Sequence, residues 1–236
     1  MLHMLTAATP EVQKFWNLVD WLSVTYFSDA VSVIGVLNIV GAILCMILPY
    51  LLGSINPAII LSRAWGRDLR ECGEDAGGAG MYRVFGMRAA VIVTVLDVIK
   101  AGAAVWLGLL LWEINGGALA GFFVVFGHMF PIFHRFNGGK GLACLAAVIV
   151  TIDLLSFLVL LLIFAICAIG ARMVSFATMT AALLYPLILN AFANRGLNVA
   201  MAVVTALFVL YAHKENIKRI GEGKEPKFEL RRKNKQ

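Results

Sequence analysis

Long apolar runs separated by short polar breaks dominate the hydrophobic pattern of this chain. They occupy residues 38–61, 89–112, 118–133, 142–170, 173–193 and 199–212, most of them near the ~20 residues that a bilayer-crossing helix needs. Backbone N–H and C=O groups in hydrocarbon must be satisfied within the protein, and runs of this length achieve that as helices. The pattern predicts an all-α fold, a polytopic membrane helical bundle. Gly53-Ser-Ile-Asn-Pro57 softens the later half of the first crossing, and Thr151-Ile-Asp153 interrupts the run 142–170.

That interrupted run is either one long tilted helix or two short ones joined at Asp153, and hydropathy alone does not choose. Charge does, because Lys and Arg concentrate in cytoplasmic loops. Five basic residues lie in the loop 63–88 (Arg63, Arg67, Arg70, Arg83, Arg88), two beside the turn 134–141 (Arg135, Lys140), one at Arg172 and nine in the tail. Two crossings put all 17 of these on one face, whereas a single crossing would put the nine-charge tail outside. About seven transmembrane helices are therefore expected, N-terminus outside and C-terminus in the cytoplasm. The fourth and fifth should be shorter than usual, tilted or set in locally thinned bilayer.

The expected organisation is an N-terminal extension over 1–35, a seven-helix membrane domain over 36–213 and a basic cytoplasmic tail over 214–236. Within the extension, Glu11 to Phe27 carries Phe15, Trp16, Leu18, Val19 and Leu22 among polar residues, and reads equally as an interfacial helix or as a solvated extension. Met1 to Asp20 lacks the basic start and small-residue cleavage site of a secretory signal, so the first apolar run is expected to be retained.

Composition agrees: 61% apolar residues, 14% charged and a mean hydropathy of +0.85 exclude an ordinary soluble domain. The net charge of +6 is accounted for by orientation and by attraction to anionic lipid headgroups, so membrane lipids are expected partners and nucleic acid is not. Cysteines at 45, 72, 144 and 167 have no metal-site or disulfide spacing and read as small core residues. No metal or cofactor is expected, and the oligomeric state is left open.

Candidate chemistry lies in the breaks. Phe126-Gly-His-Met-Phe-Pro-Ile-Phe-His-Arg-Phe-Asn-Gly-Gly-Lys-Gly141 is an apolar crossing that opens into a basic glycine loop. Gly138, Gly139 and Gly141 would leave backbone N–H groups approachable and Lys140 adds a cation, which suits phosphate; an ordinary tight turn is the plainer reading. The loop Asp68-Leu-Arg-Glu-Cys-Gly-Glu-Asp-Ala-Gly-Gly-Ala-Gly-Met-Tyr-Arg83 places Gly73, Gly77, Gly78 and Gly80 within eight positions, followed by an arginine that opens or precedes the second helix. It reads as an anion nest, with Arg83 able to grip phosphate through two parallel N–H bonds, or as a flexible loop with a topology-setting arginine.

Asp97 and Lys100 are three residues apart on one helical face, as an ion pair or with Lys100 reaching toward an anionic headgroup. His128 and His134 read first as packed or interfacial imidazoles. The hydroxyls of Ser175, Thr178 and Thr180 either line a polar cavity or bond back to their own helix. His213 is a general-base or phosphate-donor candidate, or the start of a solvated basic helix.

Together these segments resemble the bacterial acyl-phosphate–glycerol-3-phosphate acyltransferase family, the PlsY-type membrane enzymes. The resemblance covers about residues 40–225. It is carried by Gly53-Ser-Ile with Asp68-Leu-Arg70, Arg83-Val-Phe-Gly86, Asp97-Val-Ile-Lys100, Gly127-His-Met-Phe-Pro131 leading into Phe136-Asn-Gly-Gly-Lys-Gly141, Val174-Ser-Phe-Ala177 and His213-Lys-Glu-Asn-Ile217. It implies a seven-helix enzyme of the bacterial cytoplasmic membrane, active at the cytoplasmic face. Its partners would be acyl phosphate and glycerol 3-phosphate, its products lysophosphatidate and phosphate. Arg83, Lys140, His213, Ser175 and Asn216 would line the site, with Lys100 nearby.

One departure stands out. Such enzymes typically carry Gly-Ser-Gly-Asn and then Gly-Ala-Thr-Asn in the first loop, whereas here Gly73 leads into Glu74-Asp75-Ala-Gly-Gly-Ala-Gly80. If the two carboxylates face the pocket they repel phosphate. Otherwise the loop points them outward and binds anions through backbone alone. Two further readings follow: a divergent member with another phosphorylated acceptor or no activity, and a lipid or solute transporter built on the Asp97–Lys100 pair.

Overall fold

The computed structural model describes residues 33–193 and 196–227. The segment 11–27 lies outside the described residues. Helix α1 (Val33–Ser54) gives way to α2 (Pro57–Ala64) at the softened stretch. Proline suits the first position of α2, where its missing N–H costs nothing, and the Asn56 side chain caps the helix by accepting from Ile59 N at 3.1 Å. A loop carries the chain to a short helix α3 (Gly78–Phe85), set off by Gly86 from the long α4 (Met87–Met129). Arg83 thus sits in the last turn of a separate helix that precedes the long one.

The long element is two helical arms. Its helical backbone breaks at Trp112 and Glu113, and the arms fold back, with Gly108 opposite Gly116 near the break and Asp97 opposite His128 far from it. This is an antiparallel hairpin. A side chain at Gly108 would strike the Gly116 carbonyl, and one at Gly116 the Gly108 carbonyl, so glycine at both positions allows the backbones to meet. Helix α1 lies against both arms, its Cys45 Sγ 3.8 Å from Gly108 O.

After a 3-10 turn (Ile132–His134) follow α5 (Leu142–Ile152) and α6 (Leu154–Ala171), broken at Asp153 as one of the two expected arrangements requires. Asp153 is extended and its carboxylate accepts Ser156 N at 2.7 Å, an ordinary N-cap. Helices α7 (Val174–Phe192) and α8 (Gly196–Ala212) complete the bundle, and α9 (Lys214–Gly221) leaves α8 at 58°.

The core is apolar and small-residue rich, with Val105, Val124 and Val125 of α4 against Leu145 and Val148 of α5, Leu189 of α7 and Val209 of α8. The outside is apolar too: Leu162, Ile166, Leu187 and Leu207 are each at least 60% exposed, as expected where lipid is the solvent. Cys45 and Cys144 are buried, but Cys72 is exposed and is no core residue.

Segments Asn38–Ala64, Met87–His134, Leu154–Ala171 and Val174–Phe192 are long and apolar enough to cross a membrane, and Gly196–Ala212 with α9 forms a bent fifth. The second of these contains both arms of the hairpin. Helix α5, at 11 residues, is about 16 Å long, half of the ~30 Å hydrocarbon thickness. The architecture is an all-α polytopic membrane bundle.

Candidate active site

The turns at one end of this bundle meet. Lys140, following the glycine loop, places its ammonium 2.5 Å from Asp75 Oδ2 in the first loop. Arg83, from α3, puts Nη2 3.7 Å from the same oxygen and Nε 2.6 Å from Glu74 Oε2. The two acidic residues therefore face the cations, and neither points away. A cleft of about 270 Å³ opens beside them, lined by Arg70, Glu74, Asp75, Ala76, Asn137 and Gly138.

A second polar group is formed by Ser175 of α7, Asn216 and Arg219 of α9, and Glu225 just beyond α9. Asn216 Nδ2 donates to Ser175 Oγ at 2.8 Å and to Glu225 Oε1 at 2.6 Å, Ser175 Oγ donates to the same carboxylate oxygen at 2.6 Å, and Arg219 Nε takes the other at 2.8 Å. Burial alone would raise the Glu225 carboxyl. The donors from Ser175, Asn216 and Arg219 outweigh it and hold the group below its ordinary range. His213 is buried and feels charges from both groups, those of Lys140, Asp75 and Glu225. Its Nδ1 lies 2.8 Å from Val209 O, an acceptor only, so Nδ1 carries the proton and in the neutral imidazole Nε2 keeps a lone pair.

The glycine loop takes the plainer of its two readings, a tight turn closed on the protein's own carbonyls. Gly138 N donates to Met129 O and Gly139 N to His128 O, both at 3.1 Å, so these amides are spent inward and are not open to an anion. Gly73 N and Gly77 N are likewise taken, by Arg70 O at 3.1 Å and Asp75 O at 2.9 Å. Gly78 begins α3 packed on Thr94, and Gly141 takes the left-handed conformation (φ 80°) from which α5 starts. The physical reason is that a loop this close to buried helix ends must satisfy their carbonyls first.

Lys100 takes the ion-pair reading of the two open to it. Its ammonium turns inward, 2.8 Å from Asp97 Oδ1 and 3.1 Å from His128 Nδ1, and donates to Gly53 O at 3.2 Å and Ile55 O at 2.8 Å. Each of these contacts is to another group of the protein. Asp97, His128 and Cys144 offer atoms within 4.8 Å of one another, a metal-like grouping in which the Lys100 ammonium already supplies the positive charge. Thr178 and Thr180 bond back to Val174 O and Phe176 O, the plainer of their two readings.

Comparison with known proteins decides what this arrangement belongs to. The family model described as glycerol-3-phosphate acyltransferase matches residues 43–223. The chain belongs to the glycerol-3-phosphate acyltransferase family. It is 37% identical over 182 residues to the glycerol-3-phosphate acyltransferase of Geotalea daltonii, covering 76% of this chain and 93% of that protein. It is 37% identical over 187 residues to that of Geobacillus kaustophilus, covering 78% and 94%. Among solved structures it is similar to PlsY (YgiH), an integral membrane glycerol 3-phosphate acyltransferase. The glycerol 3-phosphate form of PlsY superposes with a TM-score of 0.75 at 30% identity, covering 80% of this chain and 96% of that one. The lysophosphatidic acid form gives 0.74 at 28%, covering 80% and 95%.

In this acyltransferase the structure brings together five of the residues singled out from sequence, namely Arg83, Lys140, Ser175, His213 and Asn216, and sets Lys100 behind them. Sequence reasoning missed Glu225, hidden in a tail read only for its positive charge, and missed that His128 joins the Asp97–Lys100 pair. The periodicity held a clue to the second alone: His128 lies on the second of two adjacent antiparallel arms, about as far from their break as Asp97.

Proposed function

We propose that this acyltransferase moves a fatty acyl group from acyl phosphate to the 1-hydroxyl of glycerol 3-phosphate, giving lysophosphatidate and inorganic phosphate at the cytoplasmic face of a bacterial inner membrane. The observation that carries this is the convergence of Arg83, Lys140, His213, Ser175 and Asn216 at one end of a membrane bundle whose relatives bear that acceptor in their names. In this reading the chain crosses seven times, α5 in a thinned patch of bilayer, with its N-terminus outside and C-terminus inside.

Both substrates carry phosphate, and Arg83 and Lys140 bind it and stabilise the charge that develops at the acyl carbonyl. The acceptor oxygen attacks the acyl carbon, the bond from that carbon to the phosphate oxygen breaks, and the hydroxyl proton passes to a base. His213 Nε2 has the free lone pair for this; the departing phosphate is the alternative acceptor. Ser175 and Asn216 orient the acceptor. Asn216 Oδ1 is buried with no partner among the described residues, an unused acceptor for a substrate hydroxyl. Gly73 and Gly77 border open space and leave room for substrate beside the backbone, Gly78, Gly138, Gly139 and Gly141 shape the loops that carry Arg83 and Lys140, and Lys100 holds His128 beneath Gly139. An acyl phosphate is already activated, so alignment supplies much of the rate and no covalent acyl-enzyme is needed.

The test is phosphate release by purified protein in detergent or lipid mesophase supplied with acyl phosphate and glycerol 3-phosphate. Turnover is expected in the wild type and is lost in folded Lys140→Ala and Arg83→Ala. A folded wild type that turns over neither substrate overturns the reading.

A further inference from the structure

We propose that Asp75 is a specificity-determining residue: its carboxylate occupies the Lys140–Arg83 clamp at rest, so that only a dianionic phosphate monoester displaces it, while monoanionic phosphodiesters are kept out. This rests on the acyltransferase reading and adds to it a rule for which anions enter. The geometry is that of an internal ligand. One carboxylate oxygen lies between Lys140 Nζ at 2.5 Å and Arg83 Nη2 at 3.7 Å, where a phosphate oxygen would sit, while Glu74 takes the neighbouring Nε–H on the same edge of the guanidinium at 2.6 Å.

The bridge is built to open at the side chain alone. On one side the Asp75 carbonyl accepts Gly77 N at 2.9 Å, and Gly80 sits so near that carbonyl that a Cβ there would collide with it. On the other, the Ala76 carbonyl is held by Asn56 Nδ2 at 3.1 Å and Ala76 itself is buried. The backbone cannot swing away, but the Asp75 side chain is 38% exposed and can rotate into water. Glu225, the site's third carboxylate, is 4% exposed and tied by Ser175, Asn216 and Arg219, so it is a fixed part of the wall.

Charge then sets the selection. Two cations face two carboxylates, so an incoming anion gains only if it binds the cations more strongly than the tethered Asp75 does. A phosphate monoester or an acyl phosphate, with two charges and three terminal oxygens, satisfies that condition. A phosphodiester headgroup carries one charge, as Asp75 itself does, and lacks the advantage of attachment. For a clamp facing a surface crowded with phosphodiester lipids, this exclusion keeps the site open for its substrates.

The experiment compares inorganic phosphate with dimethyl phosphate as inhibitors of the wild type, Asp75→Asn and Glu74→Gln, together with KM for glycerol 3-phosphate. In the wild type, inorganic phosphate should inhibit at least tenfold more strongly, a difference of about 1.4 kcal/mol. In Asp75→Asn, KM should fall about fivefold and inhibition by dimethyl phosphate should appear; Glu74→Gln, which relieves Arg83 alone, should show less of both. A residue that merely props Lys140 in place would raise KM on substitution, so an unchanged or higher KM, or equal potency of the two anions on the wild type, overturns the proposal. Should the Asn variant not fold, the wild-type comparison still decides. Should the wild type show no turnover, the acyltransferase reading fails, and thermal-shift titration with the same two anions tests Asp75 separately.

Discussion

The carbonyl oxygen of His128 accepts the Gly139 amide at 3.1 Å, and the imidazole of the same residue fills the space where a Gly139 side chain would project. One histidine thus sets both the height and the tightness of the loop that delivers Lys140.

Substituting Gly139→Ala should therefore lift the loop, because a Cβ there meets the His128 ring and the Ala76 carbonyl, neither of which can yield. Overpacking of this kind costs about 1–3 kcal/mol. Displacing Lys140 by about 1 Å should lower kcat/KM by about a hundredfold. Thermal unfolding in detergent beside steady-state kinetics separates the two effects.

Asp97→Ala should be far more damaging to the fold than to any surface property. It removes the carboxylate facing the buried Lys100 ammonium, and an uncompensated buried charge costs about 3–5 kcal/mol. Replacing Asp97 and Lys100 together, by Asn and Met, should cost less than Asp97→Ala alone, which a double-mutant cycle of unfolding midpoints will show.

Acid should loosen the polar end of the bundle. Hydrogen bonds from Arg70 foremost, and from Arg63, overcome desolvation and hold the Asp68 carboxyl well below its ordinary range; Glu225 is also depressed. For a depressed carboxylate the stabilisation is full above its unfolded pKa, near 4, and is lost as pH falls through the folded value. Unfolding midpoints should therefore drop as pH falls below about 4, and Asp68→Asn should be less stable at pH 7 by about 2 kcal/mol and flatter in acid.

Asn56→Ala should cost about 1 kcal/mol through loss of the α2 cap. It should also free the Ala76 carbonyl and raise KM for glycerol 3-phosphate severalfold, an effect that capping alone does not explain.

Much of the architecture was legible because local chemistry wrote it. Gly53-Ser-Ile-Asn-Pro57 marked where the first crossing softens, Thr151-Ile-Asp153 marked the break in the run 142–170, and the three-residue spacing of Asp97 and Lys100 placed them on one face. What the sequence could not reveal depended on partners far along the chain. Whether Glu74 and Asp75 face the pocket is settled by Lys140, 65 residues later, and by Arg83 on a short helix that hydropathy does not register. The loss of Gly138 and Gly139 as anion donors is set by unpaired carbonyls at the end of α4, visible only once that helix is known to stop there. Glu225 hid among lysines and arginines because charge counting weighs a segment as a whole, whereas its role comes from one oxygen reached by Ser175 and Asn216.

The inward-turned Lys100 has a mechanical consequence. Where α1 breaks before Pro57, the Gly53 and Ile55 carbonyls point at its ammonium and need no water. A discontinuity that would otherwise act as a hinge is thereby welded, so α1 and α2 should travel as a single strut.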